Sequence, residues 1–190
     1  MRIFLSVLII IFNLQSWTKA DDIRDFEIEG ISIGDSLLNF FNKSEIKGKQ
    51  YPKSNKFSRA NIYINSENYD LIQFHYKTND KDYEIFGISG QQIEQNINDC
   101  YKKQNIISDE VSKIFINIKK KPYSKKHALD ITGKSTNKGD TFYFPDKSYI
   151  NIACYDWSKK IEEEKNFKDN LRVTIIEKEL GNWLRNEAYK

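Results

Sequence analysis

Short links between successive strand-like segments constrain the fold of this sequence more than any other feature. Residues 57–64, 69–77 and 82–88 are rich in the aromatic and β-branched side chains that favour strands. Only turn-like stretches such as "NSEN" and "TND" lie between them. Because parallel neighbours need a crossover of about a dozen residues or more, links this short predict antiparallel pairing.

A second group of strands is predicted in the carboxyl-terminal half. "TFYF" and residues 148–156 flank Pro145-Asp146-Lys147, whose composition predicts the turn of a hairpin. Residues 170–178 are predicted to form a further strand. Its inward-facing side chains are predicted to be Leu171, Val173 and Ile175. The two groups together predict about six strands.

Helices are predicted before, between and after the two groups of strands. Ser89 and Gln92 have the spacing of a capping box, which predicts a helix from about Gly90 to Gln104. The other helical segments are predicted over 35–43, 109–116 and 179–190. This order predicts an α+β fold in one domain, residues 21–190, with the helices on one face of an antiparallel sheet. The tripeptide Gly-Ile-Ser precedes two of the helices, which suggests two related units of one helix and three strands.

The first twenty residues have the organisation of an export signal. Arg2 precedes an apolar run over 3–12 that only Ser6 interrupts, and the stretch ends in Thr18-Lys19-Ala20, with small residues where a signal peptidase cleaves. The run is shorter than the about 20 apolar residues that span a bilayer, although a retained anchor is the alternative. Removal of residues 1–20 leaves 28 basic and 27 acidic residues, a net charge of +1. We therefore predict a periplasmic or secreted protein with no transmembrane segment and no nucleic-acid partner.

Two cysteines remain after the predicted cleavage. In an oxidising compartment, an even pair such as Cys100 and Cys154 predicts a disulfide. Cys100 belongs to an apolar helical stripe, and Cys154 shares the alternating face of a strand with Ile152. A helix lying on the sheet would bring the two together, whereas two separately buried thiols are the alternative.

Two motifs resemble catalytic or phosphate-binding signatures but lack the required context. Residues 30–34, "GISIG", match the G-x-S-x-G pattern of serine hydrolases. In that fold the strands that form the oxyanion loop precede the serine, and the predicted mature chain has too few residues before "GISIG" to form them. We expect Ser32 or Asp35 to cap a helix instead. Residues 133–135, "GKS", resemble the end of a phosphate-binding loop, but a predicted strand follows them in place of a helix. The sequence predicts no cofactor and no metal site, since no His, Cys or carboxylate cluster has ligand spacing.

A lysine-rich irregular stretch over 119–139 contains the first candidate binding region. Residues 119–138 could contact an envelope protein or an anionic surface in a salt-dependent way. Lys134 is the candidate contact residue within it. The alternative is a solvated loop whose lysines oppose aggregation at a sheet edge.

The second candidate region joins "CYDWS" (154–158) to "DNLRV" (169–173). If their strands pair, Tyr155 or Trp157 would lie beside Arg172 on one surface, a combination common in recognition sites. The alternative is that Trp157 fills the core near the disulfide while Arg172 faces solvent.

The stretches "DIRDFEIEGISIGDSLL", "GKS", "CYDWS" and "DNLRV" resemble those of a group of small exported proteins from AT-rich bacterial genomes. That resemblance implies no activity. The stretch "GISIGDSL" is also similar to the opening of helix-plus-strand repeats in periplasmic proteins such as β-lactamase inhibitor protein and an outer-membrane assembly lipoprotein. This second similarity implies a fold built from such repeats.

The sequence favours a non-catalytic binding or envelope-associated module, because it offers no plausible general base, metal cluster or nucleotide loop. A scaffold role through the basic stretch is a variant of that hypothesis. The alternative is a small periplasmic enzyme that uses carboxylate or lysine chemistry. Such an enzyme would place Asp156 or Lys134 in a cleft.

Overall fold

The computed structural model describes residues 22–189, and the predicted export signal lies outside them. Within this range, one antiparallel sheet of eight strands is accompanied by three α-helices. The strands are β1 (Lys49–Gln50), β2 (Phe57–Tyr63), β3 (Leu71–Lys77), β4 (Gly87–Ile93), β5 (Lys119–Lys126), β6 (Thr136–Tyr143), β7 (Tyr149–Asp156) and β8 (Asn170–Ile176). The helices are α1 (Ile97–Ile114), α2 (Lys159–Lys165) and α3 (Lys178–Asn186).

The strand order β1-β2-β3-β4-β8-β7-β6-β5 divides the sheet into two halves of four strands. Each half runs from an edge to the centre, and the halves meet where β4 pairs with β8. The predicted α+β class and antiparallel sheet are confirmed. The predicted number of strands is too low, and each half has four strands where three were expected. The two strands at the edges, β1 and β5, have a partner on one side only and lack the apolar alternation that marks a covered strand.

One face of the sheet is covered by two chain segments and forms the main core. Helix α1 lies over β7 and β8, where a disulfide joins Cys100 to Cys154 as predicted. The segment before β1 covers the other half, with the ring centres of Phe41 and Phe74 5.6 Å apart. The core side chains of β7 and β8 include Ile150, Ile152, Leu171, Val173 and Ile175, which confirms the predicted inward face of β8.

Helix α3 lies on the opposite face, so the prediction that the helices share one face is wrong. Leu180 and Trp183 of α3 are buried with Phe57 and Ile176, and they cover one end of that face. His75 of β3 is buried there as well. The covering helix, α3, is about a hundred residues further along the chain, so the sequence pattern of β3 alone does not indicate that this face is buried.

The predicted helix start at Ser89 is wrong, because residues 87–93 are a central strand. Ser89 pairs with Gln73 on one side and Thr174 on the other, and its Oγ lies 2.7 Å from the Oγ1 of Thr174. Helix α1 begins behind Asn96, which accepts a 2.9 Å bond from an amide of the first turn, and it continues where two separate helices were expected. Ladder bonds on both sides of β4 outweigh a local capping signal.

The predicted helix over 35–43 is reduced to a 3₁₀ turn, Leu37–Asn39, and its cap is Ser36 instead of Ser32 or Asp35. The Ser32 amide donates to the Asp35 carboxylate at 2.8 Å, which forms a turn. The Leu37 amide donates to the carbonyl of Tyr83. Because the backbone of this segment bonds to residues 82–86, neither stretch is free to form its predicted element.

Candidate functional site

The face of the sheet opposite the main core is covered by α3 only at one end, and we call its strand residues the open face. Directly opposed residues of paired strands share a face. The open face therefore comprises the odd-numbered residues of β1–β7 and the even-numbered residues of β8. Arg172 lies near its centre, with Gln91 on one side and Ala153 on the other.

The open face carries basic side chains and no carboxylate among its strand residues. Its basic residues are Lys49, Arg59, Lys77, Lys119, Lys121, Lys125 and Arg172. Of these, Lys77 forms an ion pair of 3.0 Å with Glu179 of α3. Since basic and acidic residues nearly balance over residues 21–190, the charge is concentrated on this surface. A surface of one sign attracts partners of the other sign.

Hydrogen-bonded polar side chains cross the middle of the open face. The bonded pairs are Asn61–Gln73 at 2.7 Å, Ser89–Thr174 at 2.7 Å, Thr141–Asn151 at 3.0 Å and Tyr123–Asn151 at 3.2 Å. Burial raises the pKa of Tyr123 to about 12, so its hydroxyl stays protonated and donates to Asn151. These bonds fix the side chains in place, which lowers the entropy cost of binding a partner.

Arg172 and Tyr155 form the centre of the candidate site. The Arg172 guanidinium lies 4.6 Å from the centre of the Tyr155 ring, and its terminal nitrogen donates to Gln91 at 2.9 Å. The sequence predicted that either Tyr155 or Trp157 would share a surface with Arg172, and the structure places Tyr155 there. An arginine held over an aromatic ring is pre-organised for contact with an anion.

Trp157 is buried beside this centre. Its ring lies 4.5 Å from His127 and 4.9 Å from Phe167, measured between ring centres. Burial, and next the positive charge of Arg172, lower the pKa of His127. Cys154 belongs to the main core on the other face of the sheet. Trp157 therefore packs against His127 and Phe167 and is not itself an exposed contact residue of the site.

Three buried polar atoms of residues 22–189 have no hydrogen-bond partner, and all three surround Tyr155. They are Oδ1 of Asn137, Oδ1 of Asn170 and Nε of Arg172. Asn137 and Asn170 stand directly opposite Tyr155 on the two neighbouring strands. Because proteins leave few buried polar groups unpaired, their concentration here marks this part of the open face as unusual.

The loop between β5 and β6, residues 127–135, is organised by one carboxylate. Asp130 accepts hydrogen bonds from the amide and hydroxyl of Thr132, from those of Ser135 and from the hydroxyl of Ser158. These bonds, those from Thr132 first, hold the pKa of Asp130 well below its usual range. Ser135 of the "GKS" stretch thus ties the loop to the "CYDWS" stretch, and Lys134 lies exposed on the loop.

The lysine-rich stretch predicted to be irregular is largely an edge strand. Residues 119–126 form β5, which pairs with β6 along its whole length. Its odd-numbered residues, Lys119, Lys121, Tyr123 and Lys125, extend the open face to the edge of the sheet. Its sequence, KKKPYSKK, has lysines at both odd and even positions and no alternating apolar residues, so no pattern of period two indicated a strand.

Two cavities lie away from Arg172. One of about 360 Å³ is lined by Gln104, Pro122 and Asp140 on the side of α1, and a more open one of about 590 Å³ by Lys56 and Thr78. Within residues 22–189, no group of three His, Cys, Asp or Glu side chains is arranged to hold a metal ion. The open face is therefore a broad surface, which suits a macromolecular partner better than a small molecule.

Comparison with protein-family models, with curated proteins and with solved structures gave no match. In the part of the chain that the structure describes, no helix is both long and apolar enough to cross a bilayer.

Proposed function

We propose that this chain is an exported, non-catalytic binding module whose open face binds an acidic protein partner. The observation that carries the proposal is the charge of that face, where seven basic residues stand among the strand positions without a carboxylate. Charge complementarity raises the rate of encounter and selects partners of opposite sign.

The chemistry of the surface supports a protein partner. Tyrosine and arginine are enriched at the energetic centres of protein interfaces, and Tyr155 and Arg172 stand together here. The amide and hydroxyl side chains around them offer donors and acceptors to a partner backbone.

The proposed compartment is the periplasm or the exterior of the cell. The disulfide between Cys100 and Cys154 supports it, because such bonds persist in oxidising compartments. The resemblance of the sequence to small exported proteins supports it as well. Mass spectrometry of the native protein tests this part of the proposal, which requires loss of residues 1–20.

The alternative is an enzyme that uses carboxylate or lysine chemistry. One observation favours it: burial, and next the charges of Asp169 and Glu162, raise the pKa of Asp156. Asp156 lies at the end of β7, with its side chain on the covered side of the sheet. We favour binding because the carboxylate lies away from the open face and does not line either of the two cavities described above.

Site-specific photocrosslinking in native cells tests the binding proposal. A photoreactive residue at Gln73 or Lys121 on the open face should give one discrete crosslinked product. The same residue at Lys102 or Asn105, on the exposed side of α1, is the matched control and should give none. Products from the α1 positions alone, or from no position, would contradict the proposal.

A charge reversal at the centre of the site adds a second criterion. Arg172→Glu should abolish the product formed from Gln73, because it places a negative charge opposite an acidic partner. Lys113→Glu makes the same change of net charge on α1 and should leave the product unchanged. Equal losses in the two variants would show an effect of net charge alone and would contradict a specific open-face contact.

A further inference from the structure

We propose that the loop of residues 127–135 docks the protein onto an anionic phospholipid bilayer. This inference goes beyond the proposed function and rests on the loop, which shares only Lys125 with the argument for the open face. Two aliphatic side chains of the loop point into solvent: Ile131 is 94% exposed and Leu129 is 60% exposed. Neither contributes to the core, and both would gain free energy on entering an apolar environment.

The loop holds these side chains in a fixed arrangement. Besides the bonds that Asp130 accepts, the Leu129 amide donates to Nδ1 of His127 at 3.2 Å, and the Gly133 amide donates to the carbonyl of Asp130 at 2.9 Å. The ends of the loop are joined by a 2.8 Å bond from the His127 amide to the carbonyl of Ser135. Insertion of Ile131 and Leu129 therefore requires little ordering of the loop.

The same hydrogen bonds make the loop suited to the headgroup region of a bilayer. An unpaired backbone group is costly to move out of water, and the amides of Leu129, Asp130, Thr132, Gly133 and Ser135 are paired within the loop. The only acid of the loop, Asp130, is buried behind these donors. The exposed part of the loop is thus free of negative charge.

Lysines surround the two aliphatic side chains and indicate the sign of the lipid. Lys125 and Lys126 lead into the loop, and Lys134 lies on it; all three are exposed. The side chain of Lys126 passes beside Gly133, with its Nζ 3.2 Å from the position that a Cβ at residue 133 would take. Exposed aliphatic residues framed by lysines favour a surface that offers both hydrocarbon and negative charge.

A bilayer accounts for these features better than a pocket in a partner protein. The residues that would make contact are aliphatic side chains and flexible lysines, which provide little directional recognition. Such residues bind a lipid surface without a shaped counterpart. The paired polar side chains of the open face, which suit directional recognition, lie on the strands.

Vesicle sedimentation of the protein purified from its native compartment tests the proposal. We expect binding to vesicles of phosphatidylglycerol and phosphatidylethanolamine, weakening in high salt, and little binding to phosphatidylcholine. The double variant Leu129→Ser/Ile131→Ser should bind about tenfold or more weakly. Each of Lys126→Gln and Lys134→Gln should weaken binding about fivefold. All variants share the same amino terminus, so differences report the loop.

A matched variant separates the loop from general surface hydrophobicity. Ile106 and Ile116 are 59% and 73% exposed at other places, so Ile106→Ser/Ile116→Ser should bind like the unchanged protein. Equal binding by both double variants, absence of binding to anionic vesicles, or equal binding to phosphatidylcholine would overturn the proposal. So would a loop variant that binds vesicles normally but loses a crosslinked protein, since the loop would then contact a partner protein. Arg172→Glu should leave vesicle binding unchanged, which separates this test from that of the open face.

Discussion

A hydrogen bond of 2.8 Å joins the Tyr51 hydroxyl to Nδ1 of His75, and both side chains are buried beneath α3. Burial, and next the charges of Arg59 and Arg172, lower the pKa of His75 to about 3. Burial also raises the pKa of Tyr51. The hydroxyl and the imidazole are therefore both neutral at physiological pH, and the tautomer of His75 sets which of them donates.

The neutral His75 makes the folded state sensitive to acid. Its pKa is about 6.5 in the unfolded chain and about 3 in the folded one, so the unfolded state takes up a proton first as the pH falls. Stability should fall between pH 6.5 and pH 3 by about 1.4 kcal/mol per pH unit from this residue, and should not depend on it above pH 7. Urea unfolding of the unchanged protein and of His75→Gln measures the difference. Parallel pH curves for the two proteins would contradict the prediction.

Removal of the disulfide should destabilise the fold without changing it. The bond between Cys100 and Cys154 closes a sequence separation of 54 residues, which corresponds to roughly 4 kcal/mol in the chain-entropy estimate. Cys100→Ser/Cys154→Ser should lower the urea midpoint accordingly, and reduction of the unchanged protein should match it. A reduced protein as stable as the oxidised one would show that α1 is held on the sheet by packing alone.

Asp130→Asn should loosen the loop of residues 127–135 locally. Thr132 donates to one carboxylate oxygen and Ser135 to the other, so the amide nitrogen that replaces one oxygen removes one of the two sets of bonds. Hydrogen exchange at the Thr132 or the Ser135 amide should accelerate, while exchange in β7 should stay unchanged. Asp146→Asn is a matched control, because Asp146 accepts the same kind of bonds from the amide and hydroxyl of Ser148. Faster exchange at Thr132 in the control would indicate global destabilisation.

Gly139→Ala should destabilise the protein by about 1–3 kcal/mol, because the added methyl group would overlap backbone atoms that cannot move away. A Cβ at this position would stand 2.1 Å from the carbonyl oxygen of Ile152 and 2.6 Å from the Cα of Ala153. Gly30→Ala is the control: nothing lies within 4 Å of its Cβ position, and only its positive φ of 73° opposes the change. Thermal unfolding measures both variants. An equal or larger loss at Gly30 would contradict the role of close approach at Gly139.

Strands that are covered by apolar packing were predictable, because apolar and polar side chains alternate along their sequences. Strands β2, β3, β7 and β8 lie within or close to the predicted ranges. Part of the candidate site was visible in the same way, since pairing of β7 with β8 puts Tyr155 and Arg172 on one face. The basic row of β5 was missed, because an edge strand solvated on both sides carries no apolar pattern.

The sequence by itself determined the disulfide and the predominantly antiparallel strands, because these follow from neighbouring residues and short links. Only the tertiary structure decided that Ser89 belongs to a strand, since that depends on bonds to β3 and β8. It also decided which face stays open. The exposure of that face depends on where α1, α3 and the segment before β1 pack on the sheet. Contacts between residues far apart in the chain determine those positions.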